Sequence, residues 1–272
     1  MQKLIHLVMD YASGDLACSE VVSALAAQIS GEYHWHITSV DSFDTISTGF
    51  VTAQLSIPPM YLRPSETIVY SNCAPRKDLN VARKNNEGEG LLFATLNNGV
   101  NLFVVNSGYS LSFVRDEIKQ LFSVNVSTGG SQFRSRDNFP AIIGKFTRGE
   151  LDFIGNQLDP KEVIPDMPKN EVGYVDSFGN LKTTIRTGDP ILESLEPGQR
   201  VDLEINGVTM AATVSSGSFN VKEGDIAFSP GSSGGFARYW EIFQRGGSAW
   251  HTYRKPRPGS TITINSDWPT KI

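Results

Sequence analysis

Two hydrophobic patterns follow one another along this chain, and the change between them limits the possible folds more than any single motif. As far as about residue 160, short apolar runs typical of buried strands, such as Lys3–Met9 and Leu91–Leu96, alternate with segments of helical spacing. From about residue 171 the helical periods end. Short β-rich runs follow, separated by turn signals such as Asn206-Gly207. The sequence therefore predicts an N-terminal α/β domain, in which helices flank a central sheet, and a C-terminal all-β, barrel-like domain.

A proline-rich segment marks the expected boundary between these domains. Residues 164–170 (IPDMPKN) have the proline content of a stiff linker. We therefore expect the α/β domain to span residues 1–163 and the β-barrel domain to span residues 171–272.

Helical spacing is found in two segments of the first domain. Apolar residues recur at intervals of three and four over Phe113–Phe122, and Phe139–Phe146 shows a helical pattern that Pro140 opens. Both are predicted to be helices. The pattern of Thr48–Leu55 fits a helix or a strand, and the sequence leaves that choice open.

Composition excludes several functional classes. Charged residues make up 19% of the 272 residues, and the net charge is −5, so there is no basic field for a nucleic-acid backbone or an anionic membrane surface. Cys18 and Cys73 are too few for a disulfide framework and have no metal-site spacing. The first apolar run ends at Asp10, too early for a secretory signal, and no run approaches a membrane-spanning length. We expect a cytoplasmic protein that binds neither nucleic acid nor membranes.

The loop after the first strand is acidic rather than glycine-rich. It carries Asp10 and Asp15, and the sequence contains no phosphate-binding glycine motif at this place. In an open α/β sheet, ligands bind outside the carboxyl ends of the strands. Carboxylates there suit a ligand with hydroxyls or positive charge, such as a ribose diol or an ammonium group. The alternative for Asp15 is that it caps the following helix.

The histidines do not indicate a metal site. They do not cluster with other ligands at a metal-binding spacing, and we expect no bound metal. They are His6, His34, His36 and His251.

Three further segments have unusual polar chemistry. Leu96–Gly99 is a turn signal directly after a strand, and Ser131–Asp137 places three charges before a predicted helix. Val175–Asn180 opens the second domain with an aromatic residue, a tight turn and acid or amide groups. Each segment alone is explained by turn chemistry.

Taken together and in order, these segments resemble one enzyme family. The chain is similar to the S-adenosyl-L-methionine (SAM) hydroxide adenosyltransferases and to the related SAM-dependent fluorinases and chlorinases. The resemblance extends over nearly the whole chain. The matching segments are Asp10–Asp15, Tyr70–Ala74, Leu96–Gly99, Phe133–Asp137, Phe178–Asn180 and Ser232-Ser233-Gly234.

The resemblance implies which residues bind SAM. It also implies a homotrimer with SAM bound between neighbouring subunits. Asp10 corresponds to the aspartate that holds the ribose hydroxyls, and two further sets surround the methionine end and the adenine. The methionine set is Asp15, Asp176 and the serine pair Ser232-Ser233; the adenine set is Phe178, Asn180 and Phe219.

The chain differs from the water-using members where they prepare the nucleophile. Those members carry an aspartate, an arginine and a histidine, and the corresponding residues here are Tyr70, Lys77 (or Arg76) and Arg134. Tyr70 and Ser135 match the fluorinase-like pattern. The residues expected at the reacting centre are therefore Ser135, Arg134, Tyr70 and Lys77.

The implied reaction is nucleophilic attack on the ribose C5′ of SAM, which is the substrate, with no cofactor. Hydroxide as nucleophile gives adenosine and L-methionine, so the sequence predicts a SAM hydrolase. Because the water-activating set is replaced, two alternatives stay open. They are a halogenase-like enzyme and a non-catalytic protein that binds SAM or adenosine.

Overall fold

In the part of the chain that the structure describes, the strands form two seven-stranded sheets. The chain divides into an N-terminal unit, Met1–Asp166, and a C-terminal unit, Met167–Ile272, with one sheet in each. The fold is mixed α/β, and within the described residues no helix is both long and apolar enough to cross a membrane. The structure, a computed structural model, describes residues 3–58, 63–75, 77, 80–82, 88–217 and 220–265.

The N-terminal sheet combines parallel and antiparallel strands. In chain order, its strands are β1 (Lys3–Met9), β2 (Tyr33–Ser39), β3 (Thr67–Asn72), β4 (Leu91–Leu96), β5 (Asn101–Val105), β6 (Ile118–Val124) and β7 (Ile154–Gln157). The helices of this unit are α1 (Leu16–Gln28), α2 (Thr45–Ser56), α3 (Arg134–Asp137), α4 (Phe139–Thr147) and α5 (Pro160–Val163). In space the strand order is β2-β1-β3-β5-β4-β6-β7. The first four strands of that order are parallel, and β4, β6 and β7 pair antiparallel.

Successive side chains of a strand point to opposite faces of the sheet, and helices cover both faces of the central strands. On one face, Tyr70 of β3 belongs to a core that includes Val21 of α1 and Ile143 of α4. On the other face, the hydroxyl of Ser71 lies 2.7 Å from the hydroxyl of Thr52 in α2. The strands are thus buried on both sides, which explains their continuous apolar runs.

One of the two predicted helices is wrong and the other is confirmed. Phe113–Phe122 contains a 3-10 turn, Arg115–Glu117, and then the start of β6. This strand pairs with β4 on one side and with β7 on the other, so hydrogen bonds to distant residues override the local helical spacing. The helix expected at Phe139–Phe146 is α4, and Thr48–Leu55 lies in helix α2.

The C-terminal unit contains one predominantly antiparallel sheet. Its elements are β8 (Val172–Val175), β9 (Leu181–Arg186), β10 (Arg200–Ile205), β11 (Val208–Val214), β12 (Ile226–Pro230), β13 (Tyr239–Gln244), α6 (Ala249–Thr252) and β14 (Ile262–Asn265). The strand order is β14-β10-β11-β12-β13-β9-β8. Glu171, before β8, forms a bridge with Thr261, before β14, so hydrogen bonds also connect the two outer strands. The sheet therefore curls around its core.

Candidate functional site

The N-terminal sheet reverses its direction of growth beside β1. The chain passes from β1 through α1 to β2 on one side, and β3, which follows α2, pairs with the other side of β1. Such a switch point leaves a crevice at the carboxyl ends of the two strands, and this is where open α/β sheets bind ligands. Asp10 directly follows β1, and its backbone N–H donates to the carbonyl of Asn72 at the end of β3 (3.2 Å). The candidate site is therefore the edge where Asp10 and Asn72 meet.

The Asp10 carboxylate is half-buried at this edge, and its Oδ2 accepts a hydrogen bond from the backbone N–H of Phe43 (3.1 Å). Burial raises the pKa of the Asp10 carboxyl, although hydrogen bonds from Phe43, the Cys73 thiol and Ala74 oppose that shift. Burial also raises the pKa of the Cys73 thiol, so that this group stays protonated. The carboxylate is thus partly desolvated and anchored by donors, which suits a ligand with hydroxyl groups.

Three polar side chains form a chain of hydrogen bonds next to Asp10. The amide of Asn72 donates to the hydroxyl of Tyr11 (2.9 Å), which lies 3.3 Å from Oγ of Ser135 and donates to it. The Tyr11 ring contacts Phe133 edge to face. Burial raises the pKa of the Tyr11 hydroxyl, so it remains a donor at neutral pH. The network joins the ends of β1 and β3 to α3 and positions Ser135, one of the residues expected at the reacting centre.

Tyr70, expected at the same centre, lies inside the protein. Its side chain is fully buried in β3, and in the part of the chain that the structure describes its hydroxyl has no hydrogen-bond partner. Burial raises the pKa of this hydroxyl well above its ordinary value, and the nearby Tyr11 and Asp10 add to the shift. Tyr70 is therefore a neutral group beneath the edge that carries Asp10.

The two cations expected at the reacting centre differ in their surroundings. Nη1 of Arg134 donates to the carbonyl of Glu89 (3.1 Å), and its guanidinium lies 5.2 Å from the centre of the Phe139 ring. Lys77 is exposed. Arg76, the other residue considered for that position, lies outside the described residues.

Asp15, expected near the methionine end of SAM, caps helix α1. Its Oδ1 accepts a hydrogen bond from the backbone N–H of Ala17 (2.7 Å), and the side chain is exposed. This is the capping geometry that the sequence left open as the alternative. A role of Asp15 in binding SAM stays a prediction.

In the C-terminal unit, Asp176 organises the turn that carries Phe178 and Asn180. Its Oδ1 accepts from the backbone N–H groups of Phe178 and Asn180 (both 3.0 Å), and its Oδ2 accepts from the Asn180 amide (2.9 Å). Gly179 has a φ of +80°, and a Cβ there would lie 2.0 Å from Oγ of Ser248, so only glycine fits. The Phe178 side chain is 78% exposed. The turn thus presents an aromatic ring to the solvent on a fixed backbone.

The other residues expected to bind SAM in this unit are Ser232, Ser233 and Phe219. Ser232 is exposed, and Ser233 is buried with its carbonyl accepting from the N–H of Tyr239 (2.8 Å). Phe219 lies outside the described residues.

The described residues contain no cluster of three or more His, Cys, Asp or Glu side chains that could hold a metal. The rings of His6 and His36, on adjacent positions of β1 and β2, lie 5.8 Å apart and edge to face. Sequence reasoning missed Tyr11 and Asn72 at the candidate site. The signal that could have found Asn72 is a polar residue at the end of an apolar strand.

No protein-family model and no curated protein matches this chain. Among solved structures, it is similar to an uncharacterized conserved protein from Thermotoga maritima, at 20% identity and a TM-score of 0.72, covering 96% of this chain and 99% of that one. It is also similar to a conserved hypothetical protein from Thermus thermophilus, at 17% identity and a TM-score of 0.67, again covering 96% and 99%. At these identities the likeness concerns the fold alone: the mixed α/β fold of this chain is shared with both proteins along nearly its whole length.

Proposed function

We propose that this protein is a SAM hydrolase, which transfers the adenosyl group of SAM to hydroxide and releases adenosine and L-methionine. One observation carries the proposal: a half-buried carboxylate, Asp10, lies at the switch point of an open α/β sheet. A carboxylate there accepts two hydrogen bonds from the 2′- and 3′-hydroxyls of a ribose. Its negative charge also favours the positively charged sulfonium of SAM.

The reaction asks little of general acids. The oxygen of water attacks C5′ and gives up one proton, which ends in the solvent. The C5′–S bond breaks and its electron pair stays on sulfur, so methionine leaves as a neutral thioether. In-line positioning of the water and removal of its hydration supply most of the acceleration. Ser135, which accepts from Tyr11, has a hydroxyl proton left to donate, and in this proposal it orients the nucleophile.

The adenine is assigned to the C-terminal domain, which we infer to be a barrel, as in the family that the sequence resembles. The methionine end is assigned to Asp15 of the N-terminal domain together with Asp176, Ser232 and Ser233. Phe178 offers an exposed ring for stacking, and Asn180 offers an amide for a purine edge. In the proposed homotrimer these groups come from a neighbouring subunit, together with Ser232 and Ser233.

Incubation with SAM tests the proposed reaction. We expect adenosine and L-methionine in equal amounts on chromatography, with a slower rate in Ser135→Ala because the water loses its orienting hydroxyl. Ser23→Ala is the matched control, since this exposed serine donates to the carbonyl of Ser19 within α1. Parallel reactions contain fluoride or chloride. A halogenated nucleoside among the products would show a halogenase-like enzyme instead of a hydrolase. SAM that binds but is recovered unchanged would show a binding protein without activity.

Light scattering tests the proposed assembly. At micromolar concentration we expect a particle of three times the 29.8 kDa chain mass, because each site needs groups from two neighbouring subunits. Mixing Asp10→Ala with Asn180→Ala should then restore part of the lost SAM binding after subunit exchange. A monomer at this concentration contradicts the assembly.

A further inference from the structure

Glu89 lies at the same sheet edge as Asp10, although it is distant from Asp10 in the sequence. Strand β4 runs antiparallel to β5, with Leu91 opposite Val105, so the start of β4 lies beside the end of β5. The carbonyl of Gly90 accepts from the N–H of Asn106 (2.8 Å), which continues this pairing beyond the strands. Because β5 is parallel to β3 and β3 to β1, the segment before β4 lies at the carboxyl edge of the sheet.

The Glu89 side chain is buried without a hydrogen-bond partner for one oxygen. The residue is 6% exposed, and among the described residues no group bonds its Oε1. An unpaired carboxylate oxygen in the interior is costly, and a catalytic role is one of the reasons for which native proteins retain such a group.

Arg134 fixes the backbone at this point. Its Nη1 donates to the Glu89 carbonyl (3.1 Å), and a Cβ on Gly88 would lie 3.1 Å from the same nitrogen. The next residue after Arg134 is Ser135, whose Oγ accepts from Tyr11. Glu89 is therefore tied to the short helix that carries the serine of the candidate site.

We propose that Glu89 is the general base of this enzyme, accepting a proton from the water that attacks C5′ of SAM. The inference rests on the proposed hydrolase function. As the C5′–O bond forms and the C5′–S bond breaks, the water proton passes to a Glu89 carboxylate oxygen and later to the solvent. Adenosine keeps the new hydroxyl, and methionine keeps the electron pair.

The residues at the positions of the family's water-activating set do not supply a group that accepts the water proton. Tyr70 is buried in its neutral form, and Arg134 is permanently charged and engaged with a backbone carbonyl and a ring. Lys77 is an exposed ammonium. Of the groups discussed at this edge, Asp10 is assigned to the ribose, so the Glu89 carboxylate remains as the proton acceptor. Arg134 acts as a positioning residue for it.

The test compares Glu89→Gln and Glu89→Asp with the wild type. We expect Glu89→Gln to lower kcat for adenosine formation about 100-fold or more, with SAM affinity by calorimetry unchanged within about twofold. Glu89→Asp should recover part of that loss. A purely structural role would not lower kcat at unchanged SAM affinity and would not be rescued by the shorter carboxylate.

Glu66→Gln is the matched control. Glu66 also has a buried carboxylate oxygen without a hydrogen bond, Oε2, which lies 3.6 Å from Nη1 of Arg63. Glu66 comes directly before β3, at the amino edge of the sheet. Its substitution should leave kcat unchanged. A Glu89→Gln variant with wild-type kcat, or one whose loss follows from weaker SAM binding, overturns the role of Glu89 while the hydrolase stands. A wild-type protein that forms no adenosine overturns both proposals.

Discussion

Replacing Lys182 with methionine is expected to lower the free energy of unfolding by about 3 kcal/mol. Nζ of Lys182 pairs with Oε2 of Glu241 and lies 3.5 Å from Oδ2 of Asp176. The side chains of Lys182, Glu241 and Asp176 are only 12%, 13% and 21% exposed. The substitution leaves two largely buried carboxylates without their cation, and such uncompensated charges cost far more than the pair contributes when intact.

Chemical unfolding followed by tryptophan fluorescence measures this loss, since Trp240 and Trp250 lie in the same unit. Lys145→Met is the matched control. Its ion pair with Asp152 (2.7 Å) is more open, with side chains 35% and 66% exposed, so we expect a loss below about 1 kcal/mol. Equal losses of stability in the two variants would contradict the larger cost that we assign to the buried ion cluster.

The ion cluster around Lys182 includes the carboxylate that organises the Phe178 turn. Asp176 holds the backbone of Phe178 and the amide of Asn180, and Lys182 neutralises its charge. The Asp176 carboxylate therefore serves both the Phe178 turn and the ion pair with Lys182 in β9.

The local hydrophobic pattern correctly predicted several strands and a helix of the N-terminal unit. The apolar runs of Lys3–Met9 and Leu91–Leu96 are strands, and the helical spacing of Phe139–Phe146 is a helix. Phe113–Phe122 was assigned wrongly, because β6 exists through its pairing with β4 and β7. Strand β5 was missed because Asn101–Val105 is short and follows a turn directly.

The candidate site was predictable only in part. Asp10 could be chosen from the sequence, because a polar residue after an apolar strand marks the carboxyl edge of a sheet. Glu89 could not, since its place at that edge depends on the antiparallel direction of β4. The burial of Tyr70 likewise follows from helices packed on both faces of β3.

The second large effect is expected for Asp10→Ala in SAM binding. If the Asp10 carboxylate accepts both ribose hydroxyls, its removal leaves two buried donors unpaired. That costs roughly 1–3 kcal/mol, or about 10- to more than 100-fold in Kd. The backbone around Asp10 should persist, because its N–H bonds to the carbonyl of Asn72 independently of the side chain.

Asp116→Ala is the matched control for this measurement. Asp116 is exposed on the 3-10 turn before β6, which pairs with the end of β4 and so lies at the opposite edge of the sheet. Its substitution should leave SAM affinity unchanged.

Calorimetric titration of SAM into wild type, Asp10→Ala and Asp116→Ala is the most direct test that the switch point of the N-terminal sheet binds the ribose of SAM. We predict saturable binding to wild type and to Asp116→Ala, and at least tenfold weaker binding to Asp10→Ala. Equal affinity of all three proteins, or no binding to the wild type, would contradict that assignment.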